Sequence, residues 1–207
     1  MKNSILYGIL SILFIADLIL VARDEFHFLR FFTKPFLVPL IATIYLSGIN
    51  KKEELNSWFL SGLIFSFLGD TFLLFKWGFL PGLGSFLLAH VLYILSFIKL
   101  RAAKMLFSIP FILLYLIFLI YFLHPYLGEM EIPVIVYGIT ISIMAYFSLR
   151  SKNKWLIAGA FLFVISDSLL SFNMFVNYSA ITEQFVMATY VFAQLFLVRG
   201  MIFRKQI

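Results

Sequence analysis

The chain of 207 residues is predicted to be an all-α membrane protein with eight transmembrane helices, from its composition, the length of its apolar runs and the placement of its basic residues. Hydrophobic residues make up 63% of it and charged residues 13%, and the mean hydropathy is +1.03. A water-soluble domain of this size has too little interior to hide so much apolar side chain. A transmembrane barrel would alternate apolar and polar residues in blocks of about ten, whereas these runs are continuous and approach the roughly 20 residues of a spanning helix. With no cysteine, disulfides, thiolate nucleophiles and cysteine metal sites are excluded, and the redox compartment is left open.

Eight spans are expected, at 4–22, 35–49, 57–75, 81–99, 105–122, 132–149, 155–176 and 180–202. The first follows Lys2 and is too long, and too poor in small residues at its end, for a signal peptide. Lys34-Pro35 opens the second, the run Asn50-Lys51-Lys52-Glu53-Glu54 closes it, and Pro81-Gly82-Leu83-Gly84 starts the fourth. Eight helices of about 20 residues leave only short connections, so residues 1–207 form a single membrane domain. With eight crossings, twelve of the sixteen basic residues fall on one side: Lys2, Lys51, Lys52, Lys99, Arg101, Lys104, Arg150, Lys152, Lys154, Arg199, Arg204 and Lys205. Arg23, Arg30, Lys34 and Lys76 fall on the other. Lys and Arg concentrate on the cytoplasmic side of membrane proteins, so both termini are expected there. The excess of +6 is thus orientation data and not a nucleic-acid surface. The stretch Ser66-Phe67-Leu68-Gly69-Asp70 is echoed by Val164-Ile165-Ser166-Asp167-Ser168 four spans later, a weak sign of two four-helix halves.

Three acidic residues, Asp17, Asp70 and Asp167, lie more than one turn inside a span, whereas Glu183 flanks the outer end of span eight. An Asp at the centre of a membrane helix costs about 2.5–3.5 kcal/mol on an insertion scale, so Asp70 and Asp167 need compensation. Each has small or hydroxylated neighbours, Gly69 and Thr71 or Ser166 and Ser168, and the two are expected at similar depth. His90, with Tyr93 three residues on, lies near the middle of span four; Tyr190 and Gln194 are one turn apart in span eight. Together with Tyr137 and Asn173 they would make a polar chamber inside an oily bundle. A lone buried Asp is as readily a satisfied structural group as a reactive one, but two with a histidine favour a functional site. Asp17, nearer the outer end of span one, is expected to be structural or interfacial, and His27 and His124 to lie at the surface. Lys34 either snorkels or meets a lipid phosphate at the mouth of an outward-facing cavity. The Gly-x-Ser-x-Gly elbow, the His-Glu-x-x-His zinc pair and the phosphate-binding glycine loop are absent from the sequence. Asn177-Tyr178-Ser179 fits a glycosylation sequon too common to carry meaning.

The pattern resembles the YhhN-like family of eight-span membrane proteins, whose animal members include lysoplasmalogenases. The resemblance is carried by Thr33-Lys34-Pro35, by Ser66 to Asp70, by Gly84 to Tyr93 with His90, by Gly159 to Ser168 with Asp167, and by Tyr190 to Gln194. It implies hydrolysis of the vinyl ether bond of a lysoplasmalogen, giving a fatty aldehyde and a glycerophospho-ethanolamine or -choline. The expected partners are then a lysophospholipid substrate and the bilayer, with no cofactor, no metal and no nucleic acid, in a bacterial inner membrane; the oligomeric state stays open.

The residues suit that chemistry on their own account. Vinyl ether hydrolysis begins with proton transfer to the β-carbon, and water then captures the oxocarbenium ion. It needs a proton donor and an anion, which two carboxyls in unlike surroundings supply. Asp70 and Asp167 are the expected catalytic pair, with His90 orienting or relaying protons and Lys34, Tyr93, Tyr190 and Gln194 binding substrate. Which Asp is the acid is open. The alternatives are a proton-coupled transporter or lipid flippase using the same cluster as a relay, and a metal-dependent hydrolase with Asp70, Asp167 and His90 as ligands.

Overall fold

The computed structural model describes residues 2–49, 54–100 and 105–204, without the side chains of residues 2, 3 and 24–27. Asn50, Lys51, Lys52, Glu53, Arg101, Lys104 and Lys205, used above for boundaries and orientation, lie outside the described residues, as do the side chains of Lys2, Asp24, Glu25 and His27. Among the described residues are eight α-helices and no strand: α1 (Lys2–Val21), α2 (Lys34–Ser47), α3 (Ser57–Phe72), α4 (Phe79–Ile98), α5 (Ile109–Leu127), α6 (Glu131–Arg150), α7 (Lys154–Phe175) and α8 (Ala180–Ile202).

Every expected apolar run is helical, and the boundaries follow local chemistry. Asn56 and Asn153 cap α3 and α7, their side-chain oxygens accepting from Phe59 N and from Trp155 N and Leu156 N. Proline near the first position starts α2 and α5, where its missing N–H costs nothing. The fifth helix is displaced from 105–122 to Ile109–Leu127: residues 106–108 form a 3-10 turn before Pro110, and the helix runs on until Gly128, at φ 50°, turns the chain into α6. The third ends at Phe72 instead of 75, with Phe75 N bonded to Phe72 O and Gly78 N to Phe75 O, both at 2.9 Å.

Helices α1 and α4 to α8 run 19–23 residues and are apolar enough to cross a bilayer. At 14 and 16 residues, α2 and α3 are shorter, about 21 and 24 Å against a hydrocarbon core of about 30 Å. In front of α2 the chain forms a 3-10 helix, Asp24–Phe32. The outward faces are what lipid requires: Phe111, Phe118 and Tyr121 of α5 are 71%, 67% and 80% exposed.

Contacts at the two ends show that the helices alternate in direction. At one end, Gln184 of α8 bonds to Leu18 O of α1, Arg30 meets Glu183 of α8, Phe79 of α4 touches Phe175 of α7, and Leu123, Leu127 and Val134 pack with Phe175. At the other, Asn153 bonds to Gly200 O and Arg204 to Glu54 O. The closest packing is within α3–α4 and α7–α8. Small residues permit it: a Cβ at Gly69 would lie 2.6 Å from the Phe86 ring, and one at Gly159 would lie 2.9 Å from Ala193 O. Asp70 and Asp167 therefore each sit on the first helix of a tightly packed hairpin.

Candidate active site

Asp70, in the last turn of α3, is 2% exposed, and its Oδ2 accepts a 2.7 Å hydrogen bond from the Tyr190 hydroxyl on α8. The chain of polar groups continues from there. Gln194 Nε2 donates to the Tyr190 oxygen at 3.4 Å, and Tyr93 on α4 donates to Gln194 Oε1 at 2.9 Å. Tyr93 OH and Ser66 Oγ are 3.2 Å apart, which closes the loop back onto α3. Tyr190 and Gln194 share a face because they are four residues apart on one helix. The charges acting on Asp70 are those of Lys34, Asp17 and Arg30.

Asp167, midway along α7, is 12% exposed and accepts at Oδ2 a 2.5 Å hydrogen bond from Tyr137 of α6. Its Oδ1 has no hydrogen-bond partner among the described residues. Asp70 is the charged group that acts on Asp167. His90 Nε2 lies 4.0 Å from Asp167 Oδ2, beyond hydrogen-bond length. The imidazole is fully buried, with neither nitrogen partnered among the described residues, against the rings of Phe163 at 4.7 Å and Tyr137 at 5.3 Å. Buried polar groups are rarely left so, and those that are tend to mark function or an internal water.

Lys34, expected at the rim, is buried, with only 5% exposure. As the first residue of α2 it lines a cleft of about 320 Å³ with Arg30, Asn173, Tyr178 and Glu183. Arg30 is held on both sides: Nε donates to Asp17 Oδ1 at 3.3 Å, and Nη1 and Nη2 each donate to Glu183 Oε1 at 3.3 Å. Thr33 Oγ1 donates to Asp17 Oδ1 at 2.8 Å, and Asn173 Nδ2 to Glu183 Oε2 at 3.2 Å. Asp17 is thereby a satisfied structural group, as expected. The sequence alone places Arg30 and Glu183 only among the charges on the outer side. The signal that could have found them is Asp17 itself, since an acid inside a span requires a cation in reach.

Below the cleft, a cavity of about 20 Å³ lies beside Asp167 and Tyr137, walled by Phe79, Leu83, Phe86 and Val134. Its volume suits about one water molecule. Leu73, Leu170 and Met174 line both spaces, so the cationic cleft adjoins the pocket at Asp167. Tyr93, Tyr190 and Gln194 line neither space and instead form the chain that holds Asp70. No three His, Asp or Glu side chains converge as metal ligands among the described residues. His124 is exposed, pairing with Glu131 at 2.9 Å.

Comparison with known proteins finds relatives by sequence. The chain is 34% identical over 147 residues to lysoplasmalogenase TMEM86B of Rattus norvegicus, an alignment covering 68% of this chain and 60% of the relative. To the Homo sapiens protein of that name it is 31% identical over 139 residues, covering 65% and 59%. To a lysoplasmalogenase of Mycobacterium tuberculosis it is 28% identical over 162 residues, covering 72% and 62%. The chain spans about three fifths of the length of these relatives. No solved structure matches it. The sequence profile of the YhhN family matches residues 29–201, from the 3-10 helix before α2 to the end of α8, and the chain belongs to that family.

Proposed function

We propose that the chain is a membrane-embedded hydrolase that cleaves the vinyl ether bond of lysoplasmalogens. The observation that carries this reading is a carboxyl group, Asp167, with one free oxygen beside a water-sized apolar cavity that adjoins a cationic cleft. Relatives named lysoplasmalogenases support it.

In this reading Lys34 binds the lipid phosphate in the cleft, bringing the alkenyl bond down to Asp167. Protonated Asp167 donates its proton to the β-carbon, the C=C electron pair forms the new C–H bond, and the α-carbon becomes part of an oxocarbenium ion. Water in the cavity adds to that carbon and returns a proton to the Asp167 carboxylate. The hemiacetal then collapses to a fatty aldehyde and the free hydroxyl of the glycerophospho compound. Asp70, accepting from Tyr190, supplies the negative charge that stabilises the cation in a low-dielectric setting. Tyr190, Gln194 and Tyr93 position Asp70, Tyr137 positions Asp167, and His90 completes the polar face towards Asp167.

All eight helices cross the bilayer in this reading, with the Lys34 end facing outward and both termini cytoplasmic, in a bacterial inner membrane. Lys99, Arg150, Lys152, Lys154, Arg199 and Arg204, at the opposite end, support that orientation.

The test is incubation of purified protein with an alkenyl and an ester lysolipid, followed by mass analysis. Aldehyde from the alkenyl lipid alone is expected. Fatty acid from the ester, or no product together with lipid transfer across liposomes, would overturn the proposal.

A further inference from the structure

A groove of about 350 Å³ opens between α5, α6 and α7, walled chiefly by Phe111, Ala145, Leu149, Phe161, Val164 and Ile165. Three hydroxyls reach its wall. Ser108 Oγ donates to Met105 O at 2.7 Å, Tyr115 OH pairs with Ser168 Oγ at 2.5 Å, and Ser142 Oγ is buried without a partner among the described residues. The volume lies at the lower end of the roughly 300–1,000 Å³ usual for ligand sites.

The groove is in line with the site at Asp167. Along α7 the charged cleft and the water-sized cavity overlap, the cleft taking Leu170, Asn173 and Met174 and the cavity taking Asp167, Leu170, Ser171, Met174 and Phe175, while the groove takes Phe161, Val164 and Ile165 on the far side of Asp167. Along α6, Val134 and Tyr137 line the cavity and Ser142, Ala145 and Leu149 the groove. At this junction on α7, Asp167 accepts from Tyr137 of α6 and Ser168 pairs with Tyr115 of α5. From Ser168 to Ile165 and Val164 is about one helical turn, roughly 5.4 Å.

We propose that this groove holds the single hydrocarbon chain of the lysolipid, an inference that rests on the reading of Asp167 given above. A vinyl ether lies at the junction between the glycerol backbone and the chain. With the headgroup in the Lys34 cleft and that junction at Asp167, the chain must leave in the opposite direction, where the next space on both helices is this groove.

The test uses the purified full chain with an uncleavable alkyl-ether lysophospholipid carrying a diazirine at the chain end. Photolabelling is expected on peptides with Phe111, Phe161 or Ile165, competed by unlabelled alkyl lysolipid and not by diacyl phospholipid. Ile165→Trp, at an exposed wall position, should cut labelling about tenfold, as displacing two or so buried methylenes would. It should also shift hydrolysis towards shorter alkenyl chains, while Phe161→Ala extends the range to longer ones. Labelling of the groove that lysolipid does not compete, or competed labelling elsewhere, would overturn the proposal. Competed labelling of the groove without aldehyde release from the wild type would uphold the chain site and remove the vinyl ether reading.

Discussion

Asp17 and Asp167 are both carboxyls on apolar helices, and the bundle treats them in opposite ways. Asp17 receives three donors, Arg30 Nε, Arg30 Nη2 and Thr33 Oγ1, and its cation is shared with Glu183. Asp167 receives one neutral donor, lies beside an unpartnered imidazole and opens onto a small cavity. Asp70 is intermediate, with the Tyr190 hydroxyl as donor and Lys34 and Arg30 acting at longer range. The charged cluster is built to be satisfied and so contributes to folding. The inner group is left partly unsatisfied, which costs stability and is tolerated where a reaction uses it.

The contrast is broken most severely at the inner pair. Asp167→Asn and Asp70→Asn should each cut aldehyde release by about 10²–10⁴-fold, the usual contribution of a positioned acid or base, with thermal stability in detergent held or raised. Asp17→Asn should do the reverse. Removing one partner of a buried ion pair costs about 3–5 kcal/mol, so Tm falls while the rate per folded molecule stays near that of the wild type.

Smaller changes sharpen the comparison. Tyr190→Phe and Tyr137→Phe each remove one hydrogen bond to a carboxyl, about 1.5–3 kcal/mol if the group is charged, and should slow turnover by roughly ten- to a hundredfold. Lys34→Met should raise KM about tenfold with little change in kcat, as expected for a contact made equally before and during reaction. A vinyl ether lacking a phosphate should not register the change. The smallest effect on stability is expected for His90→Phe, within about 1 kcal/mol of the wild type, because both unpartnered nitrogens leave together. A lower rate at retained Tm groups His90 with Asp167; a collapse in Tm would group it with the charged cluster.

Much of this arrangement was readable in the sequence, for a physical reason. Lipid demands long apolar runs, so the eight helices were visible within a few residues, and Asp70, Asp167 and His90 stood out because charge and imidazole are costly there. Helix ends were less legible where 3-10 winding replaced α, as before α2 and α5, since hydropathy does not distinguish the two. The i, i+4 pairing of Tyr190 with Gln194 was visible, but their partners were not. Linking Tyr190 to Asp70 and Gln194 to Tyr93 depends on how α3, α4 and α8 are rotated against each other, which is set by contacts such as Gly69 on Phe86. Arg30 was hidden for a similar reason: the 3-10 helix folds it back against α1, where Asp17 waits.

The most direct test of the chemistry at Asp167 is hydrolysis in water enriched with oxygen-18, with the oxygen of the glycerophospho product read by mass spectrometry. Protonation of the alkenyl carbon followed by capture of the oxocarbenium ion leaves the ether oxygen on glycerol, so that product should be unlabelled. Label in the glycerol hydroxyl would mean that water attacks on the glycerol side, and would contradict the account.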